Sequence, residues 1–169
     1  LTSEYYMFAL EHLPSKKVVG VSNLETAEFV KLYENIYRSV NIGLVNEMKM
    51  ISNKLNLNIY EIIKAAKTKP FGFQAFYPGP GVGGHCIPVD PYYLSWIASK
   101  FKIKSNLIYH AGKVNSSMPK WILSKFKSFK DIKKILIVGV AYKKDLDDTR
   151  ESPAVEFIKI LRNKKIKVD

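Results

Sequence analysis

The stretch GPGVGGHCIPVDP, residues 79–91, gathers side chains able to do chemistry. It holds the chain's only cysteine, Cys86, directly after Gly83-Gly84-His85 and four residues before an aspartate, Asp90. A lone cysteine has two ordinary readings. It is a small buried hydrophobe, or it is a reactive sulfur in an accessible, electropositive loop. Gly83 and Gly84 would let backbone come close to a ligand, and Pro88 stiffens the exit. A helix beginning at Asp90 would turn the positive end of its dipole towards the loop. His85 is adjacent, but neighbouring side chains in an extended segment point apart, so it is given no catalytic role. Residue types alone leave both readings of Cys86 open.

The elements that must position this loop are legible from periodicity and punctuation. Ser22-Asn23-Leu24-Glu25 has the S-x-x-E form of a capping box. Behind it Val30, Tyr33, Tyr37, Val40, Leu44, Met48 and Ile51 recur at helical spacing, predicting one long helix over about residues 24–55. Asn58 with Glu61 opens a second, short helix running to about Ala66, and Pro70 with Gly72 closes the region. Residues 70–89 read as a loop rich in proline, glycine and aromatics. Asp90 as N-cap with Pro91 at the first helical position starts a helix over about 91–101. A further helix is expected over 105–126.

The pattern changes at Lys133. Ile135 to Ala141 is a short continuous apolar run of the kind a buried parallel strand shows. Ser152-Pro153 opens a helix that ends near Lys164-Lys165, and Ile166-Lys167-Val168 begins a second strand. This is a β-α-β unit, too small to bury both faces of a sheet. Its connection carries Gly139-Val140-Ala141-Tyr142-Lys143-Lys144 in place of G-x-G-x-x-G, so no dinucleotide site is assigned to it.

Composition bounds the rest. The 169 residues are 47% hydrophobic and 25% charged, which suits about one globular domain. One cysteine makes no intramolecular disulfide and no signal-peptide pattern opens the sequence, so a reducing cytoplasm is expected. No apolar run approaches the roughly 18 residues of a membrane span. The net charge of +12 favours an anionic partner. The lysines are nonetheless spread along the chain, with no sustained basic run and no zinc-finger or RNP-type signature, and they read as a solvated surface. Neither a nucleic-acid nor a membrane partner is expected.

Three motifs together carry a family resemblance. AEFVKLYENIYRSVNIGLVNE, FGFQAFYPGPGVGGHCIPVDPYYLSW and GVAYKKDLDDTRESPA occur in this order, and with their surroundings cover roughly residues 20–169. The chain resembles the UDP-glucose/GDP-mannose dehydrogenase family, within it the UDP-N-acetylglucosamine 6-dehydrogenase branch. The resemblance implies an NAD-dependent, four-electron oxidation of the C6 hydroxyl of a UDP-N-acetylhexosamine to a carboxylate. Cys86 matches the family's nucleophile. An alcohol gives up hydride directly, but its aldehyde product has no second hydroxyl to oxidise. Addition of the thiolate makes a thiohemiacetal, whose oxidation gives a thioester, and water then releases the acid.

The same resemblance assigns the other site residues. Lys31 and Asn35 match a lysine and an asparagine on the long helix, where their i, i+4 spacing sets both on one face to hold the oxyanion developing at C6. Asp90 matches an aspartate that orients water or the lysine. Phe76, Tyr77, Gly79, Gly81, Gly83 and Gly84 fall in the segment that wraps the nucleotide sugar, with glycine amides turned to the diphosphate or sugar hydroxyls. Tyr142 and Lys143 match an aromatic-lysine pair on the substrate. Arg150 matches an arginine that reaches the cofactor, its structural alternative being a pairing with Asp147, Asp148 or Glu151. No metal site is implied.

The expected fold is therefore α/β. A remnant of or linker from an NAD domain occupies residues 1–21, and a long-helix, all-α central dimerisation domain with the cysteine loop occupies 22–127. The first β-α-β unit of a Rossmann-like UDP-sugar-binding domain occupies 131–169. The family's N-terminal NAD domain, with its glycine-rich turn and acid-base glutamate, has no counterpart in the sequence. The chain is thus expected to be inactive alone and to form a homodimer through the long helix. The alternative is a non-catalytic helical interaction module derived from such an enzyme.

Overall fold

The computed structural model describes residues 19–126 and 132–169. They divide into two compact units, between Lys31 and Leu32. Most of the expected remnant at 1–21 lies outside the described residues.

Helix α1 (Leu24–Lys54) begins in the first unit. Asn23, not Ser22 of the expected capping box, supplies its cap. The Asn23 Oδ1 accepts the Thr26 N–H at 2.8 Å because Asn23 is the residue immediately before the first helical position.

In the second unit α1 buries its small and polar face. The expected apolar stripe is outward: Tyr33, Tyr37, Leu44, Met48 and Ile51 are all exposed. The buried side chains are Asn35, Ile36, Ser39, Gly43, Val45, Asn46 and Ser52, mostly small or polar. The reason is the closeness of helix α4 (Asn106–Leu123). A Cβ placed on Gly43 would lie 3.0 Å from the Cα of Ala111. Backbones that near leave space for small residues and hydrogen-bonded amides rather than for large apolar side chains.

Helix α2 (Ile59–Ala66) starts as expected, with the Asn58 side chain accepting the Tyr60 N–H at 3.0 Å. Ile59 and Ile63 meet Val45 in a small core, covered by Ala75 and Phe76. Helix α3 (Asp90–Lys100) follows the cysteine loop and packs on α4. Its N-cap is Val89, so Asp90 is the first helical residue and not the cap, and its carboxylate is free to bond elsewhere. The α4 helix stops at Leu123, three residues before its expected end.

The last segment is the expected β-α-β unit in reduced form. Strands β1 (Lys134–Ile135) and β2 (Lys167–Val168) pair in parallel, with Lys134 opposite Lys167 and Ile135 opposite Val168. Helix α5 (Pro153–Asn163) lies between them, capped by the Ser152 hydroxyl, which accepts the Ala154 N–H at 3.3 Å. Leu123, Leu161 and Ile166 form the core beneath, with Ile135, Ile137 and Phe157 against them. The apolar run expected to be a full strand is hydrogen-bonded as far as Ile137, whose N–H donates to the Asp169 carbonyl at 2.8 Å, and Leu136 and Val138 are exposed. The described residues thus hold five helices and two short strands. None of these helices is long and apolar enough to cross a membrane.

Candidate active site

Cys86 is exposed, which removes the reading of it as a buried hydrophobe. The backbone N–H groups of Val89 and Asp90 both donate to the Cys86 carbonyl oxygen, at 3.1 and 2.8 Å. The cysteine thereby forms the turn that starts α3. Orphan N–H groups at the start of that helix are satisfied by the peptide carbonyl of Cys86 itself.

Asp90 makes the second link. Its Oδ2 accepts Asn35 Nδ2 at 2.7 Å, while Asn35 Oδ1 accepts Arg38 Nη2 at 2.7 Å. Arg38 has donors only, so it fixes which way the buried Asn35 amide faces, and the Nδ2 must point to Asp90. The structure therefore brings Asn35, Asp90 and the Cys86 backbone together. Lys31, four residues before Asn35 on α1, is an exposed residue of the first unit. Arg38 was missed because a helical arginine three residues from Asn35 carries no signal until Asn35 itself is placed.

The glycine loop is pinned from two sides. Gly79 N–H donates to Asn46 Oδ1 at 2.9 Å, and Gly84 N–H donates to the Arg150 carbonyl at 3.1 Å. Both amides are engaged within the protein. Gly83 and Gly84 give close approach to Tyr142. A Cβ on either would come within 2.6 to 2.7 Å of the Tyr142 side chain, and Gly84 also has φ +89°. Phe76 is half-buried, packed on the Val45, Ile59 and Ile63 core and edge-on to Tyr37. Tyr77 and Lys143 remain exposed, and Gly81 sits over α4.

Asp148 organises the far side of the loop. Arg150 Nη2 donates to its Oδ2 at 2.7 Å and Arg150 Nε to its Oδ1 at 3.0 Å, and the Arg150 backbone N–H adds a bond at 2.9 Å. These hydrogen bonds and the guanidinium charge lower the Asp148 pKa to about 2. His85 Nε2 lies 3.5 Å from Asp148 Oδ2, and the His85 ring is edge-on to Tyr142. His85 is thus turned to the 142–150 loop. The structural alternative for Arg150, pairing with Asp148, is the arrangement found.

A cleft of about 420 Å³ runs behind the loop, lined by Gly81, Val82, Ile87, Asn115, Ser152 and Pro153 among others, but not by Cys86, Asn35, Asp90 or Tyr142. No cluster of metal-ligating side chains occurs among the described residues. The β1-to-α5 connection does not fit a dinucleotide. Pro153 has no N–H to offer, and the next three amides of α5 are taken by Ser152, Ala154 through its hydroxyl and Val155 and Glu156 through its carbonyl.

Comparison with known proteins converges on one group. Residues 25–117 match the UDP-glucose/GDP-mannose dehydrogenase family, central domain, and residues 136–169 match that family's UDP binding domain. A UDP-N-acetyl-D-mannosamine dehydrogenase from Methanocaldococcus jannaschii is 44% identical over 142 residues, covering 83% of this chain and 32% of the relative. An NDP-N-acetyl-D-galactosaminuronic acid dehydrogenase from Ralstonia solanacearum is 39% identical over 145 residues, covering 83% of this chain and 33% of the relative. The solved structure of a UDP-D-ManNAc dehydrogenase from Pyrococcus horikoshii superposes with a TM-score of 0.81 at 38% identity, covering 97% of this chain and 40% of that one. The chain spans about a third of the length of the curated relatives it matches. These relatives are named for N-acetylmannosamine and N-acetylgalactosaminuronic acid, where the sequence motifs pointed to the N-acetylglucosamine branch. With an exposed cysteine inside the matched central segment and a matched UDP-binding segment after it, the chain belongs to the UDP-glucose/GDP-mannose dehydrogenase family.

Proposed function

We propose that this chain supplies the substrate side of a nucleotide-sugar 6-dehydrogenase acting on a UDP-N-acetylhexosamine. The observation that carries the reading is the exposed Cys86 on a turn whose next residues tie it to Asn35 through Asp90. In this reading the Cys86 sulfur bonds to C6 of the substrate at the aldehyde level to give a thiohemiacetal, NAD would supply the hydride acceptor that takes this adduct to the thioester, and water then breaks the bond. Asn35 holds the Asp90 carboxylate in place to orient the water. The family resemblance assigns Lys31 to the oxygen at C6, and Tyr142 and Lys143 hold the nucleotide sugar from the UDP-binding segment. The first amides of α5 are engaged by Ser152, so the NAD that the family resemblance implies is not assigned to the β1-α5-β2 unit.

The reading is tested by ligand protection. Iodoacetamide should modify Cys86 in the native chain, and a UDP-N-acetylhexosamine should slow that modification while NAD leaves it unchanged. Equal modification rates with and without the UDP-sugar would overturn it.

The outward stripe of Tyr33, Tyr37, Leu44, Met48 and Ile51 favours a homodimer formed through α1. Dimerisation and substrate binding are compatible. A chain that dimerises but shows no ligand protection of Cys86 would instead be a non-catalytic interaction module.

A further inference from the structure

Where α1 crosses α4, three fully buried polar residues form a directional chain. Asn46 is 0% exposed, and Ser39 and Asn115 are each 1% exposed. The Gly79 N–H donates to Asn46 Oδ1 at 2.9 Å, Asn46 Nδ2 donates to Asn115 Oδ1 at 3.0 Å, and Asn115 Nδ2 donates to the Ser39 carbonyl at 3.0 Å. Each amide orientation is dictated by the next. Asn46 must turn its oxygen to the loop because Gly79 offers a donor, which leaves its nitrogen for Asn115. Asn115 must then turn its nitrogen to Ser39.

The neighbouring backbone leaves the chain little freedom. Gly43, between Ser39 and Asn46, lies against Ala111, one turn before Asn115. At the loop end, a Cβ on Gly81 would sit 2.9 Å from the Asn115 carbonyl oxygen. The glycine loop is therefore seated directly on α4 at the residue that completes the relay.

We propose that Asn46 and Asn115 are positioning residues that act through this relay to set the seat of the glycine loop ahead of Cys86. Neither need touch the substrate. Burying two amides at a helix crossing is tolerated only when their polar groups are satisfied, and here one end of that satisfaction is the loop itself. The consequence for a bound nucleotide sugar rests on the function proposed above, whereas the seating of the loop does not.

The test is amide hydrogen exchange at Gly79 in the full chain, followed by NMR. Asn46→Ala should speed that exchange by roughly tenfold or more, the effect of one lost hydrogen bond. Asn115→Ala leaves the direct partner of Gly79 in place and should speed it as well. The double variant should be no faster than Asn46→Ala, since coupled residues are not additive. Asn46→Asp keeps an acceptor for Gly79 but turns an oxygen towards Asn115 Oδ1, so it should behave like Asn115→Ala. Asn115→Asp provides a near-isosteric alternative should the alanine variant fail to fold. As a control, Leu161→Ala opens a cavity in the separate Leu123, Leu161 and Ile166 core and should leave Gly79 exchange unchanged. Affinity for a UDP-N-acetylhexosamine should fall in step with the loss of Gly79 protection. Unchanged Gly79 exchange in the Asn115 variants, or an equal rise in Leu161→Ala, would overturn the relay. If the unaltered chain binds no UDP-sugar, the proposed function fails while the exchange data still decide the relay.

Discussion

The backbone N–H of Asp90 donates to the carbonyl oxygen of Cys86 at 2.8 Å, and the Asp90 carboxylate accepts from Asn35. One residue thus fixes the cysteine turn to the long helix. Asp90→Ala should cost about 1–3 kcal/mol, because it leaves a buried amide donor without its acceptor. Chemical denaturation would measure it, and a cost below about 0.5 kcal/mol, the ordinary surface value, would show that the bond is not made in solution.

Gly84→Ala tests the seating of Tyr142. Gly84 has φ +89°, and a Cβ there would lie 2.7 Å from the Tyr142 ring. Two separate penalties follow, one conformational and one steric. The double variant Gly84→Ala/Tyr142→Ala should recover only the steric part. Full recovery of the melting temperature would mean that the backbone conformation costs nothing.

The pH dependence of the Asp148–Arg150 pair follows from the sign of its shift. The Asp148 pKa falls from 3.8 to about 2 because Arg150 hydrogen-bonds the carboxylate. A group depressed in the folded state stabilises above its unfolded pKa, and that contribution is lost as pH falls through the folded one. The pair should therefore hold at pH 5 and above and weaken between about pH 4 and 2. Carboxyl NMR titration of Asp148 should place its midpoint near 2, and in Arg150→Gln higher but still below its ordinary value, because the backbone N–H of residue 150 remains. An unchanged midpoint in the variant would remove Arg150 as the cause.

What the sequence made legible was the set of elements and the identity of the chemical side chains. Helix boundaries came within a few residues because Asn58 and Ser152 cap by local bonding that their neighbours do not alter. The face that α1 buries was not legible. Periodicity marks the apolar stripe, expected to meet a second copy of the chain, but gives no signal for the face turned to α4, where Gly43 and Ala111 bring two helices so close that small and polar residues are the buried ones. The relay residues Asn46 and Asn115 were missed for the same reason, since an asparagine on a helix reads as solvated until its partner across the crossing is known. The uses of Gly79 and Gly84 were likewise set by tertiary partners 33 and 66 residues away, Asn46 and Arg150.

Association should follow from the stripe left outward on α1. Leu44 is 56% exposed and Tyr33 65% exposed, with Met48 and Ile51 beside them in helical register. Sedimentation at tens of micromolar should show a dimer, and Leu44→Glu should shift it to monomer by setting two like charges in the shared face. A strictly monomeric unaltered chain would count against α1 as the dimer surface.

Lys143 distinguishes a substrate site from a decorative resemblance. It is exposed and next in sequence to Tyr142, whose ring is held against Gly83 and Gly84. A charge-assisted bond from it to an anionic ligand would contribute about 1–3 kcal/mol. Calorimetry should therefore show Lys143→Ala binding a UDP-N-acetylhexosamine roughly 5- to 150-fold more weakly, with the melting temperature unchanged because an exposed lysine is lost. Lys143→Arg should retain most of the affinity if charge is what matters. NAD should scarcely bind to either, since the amides at the start of α5 are already taken. Binding of the UDP-sugar that is equal in Lys143→Ala and the unaltered chain would remove this lysine from the site, and tighter binding of NAD than of the UDP-sugar would reassign the β1-α5-β2 unit to the dinucleotide.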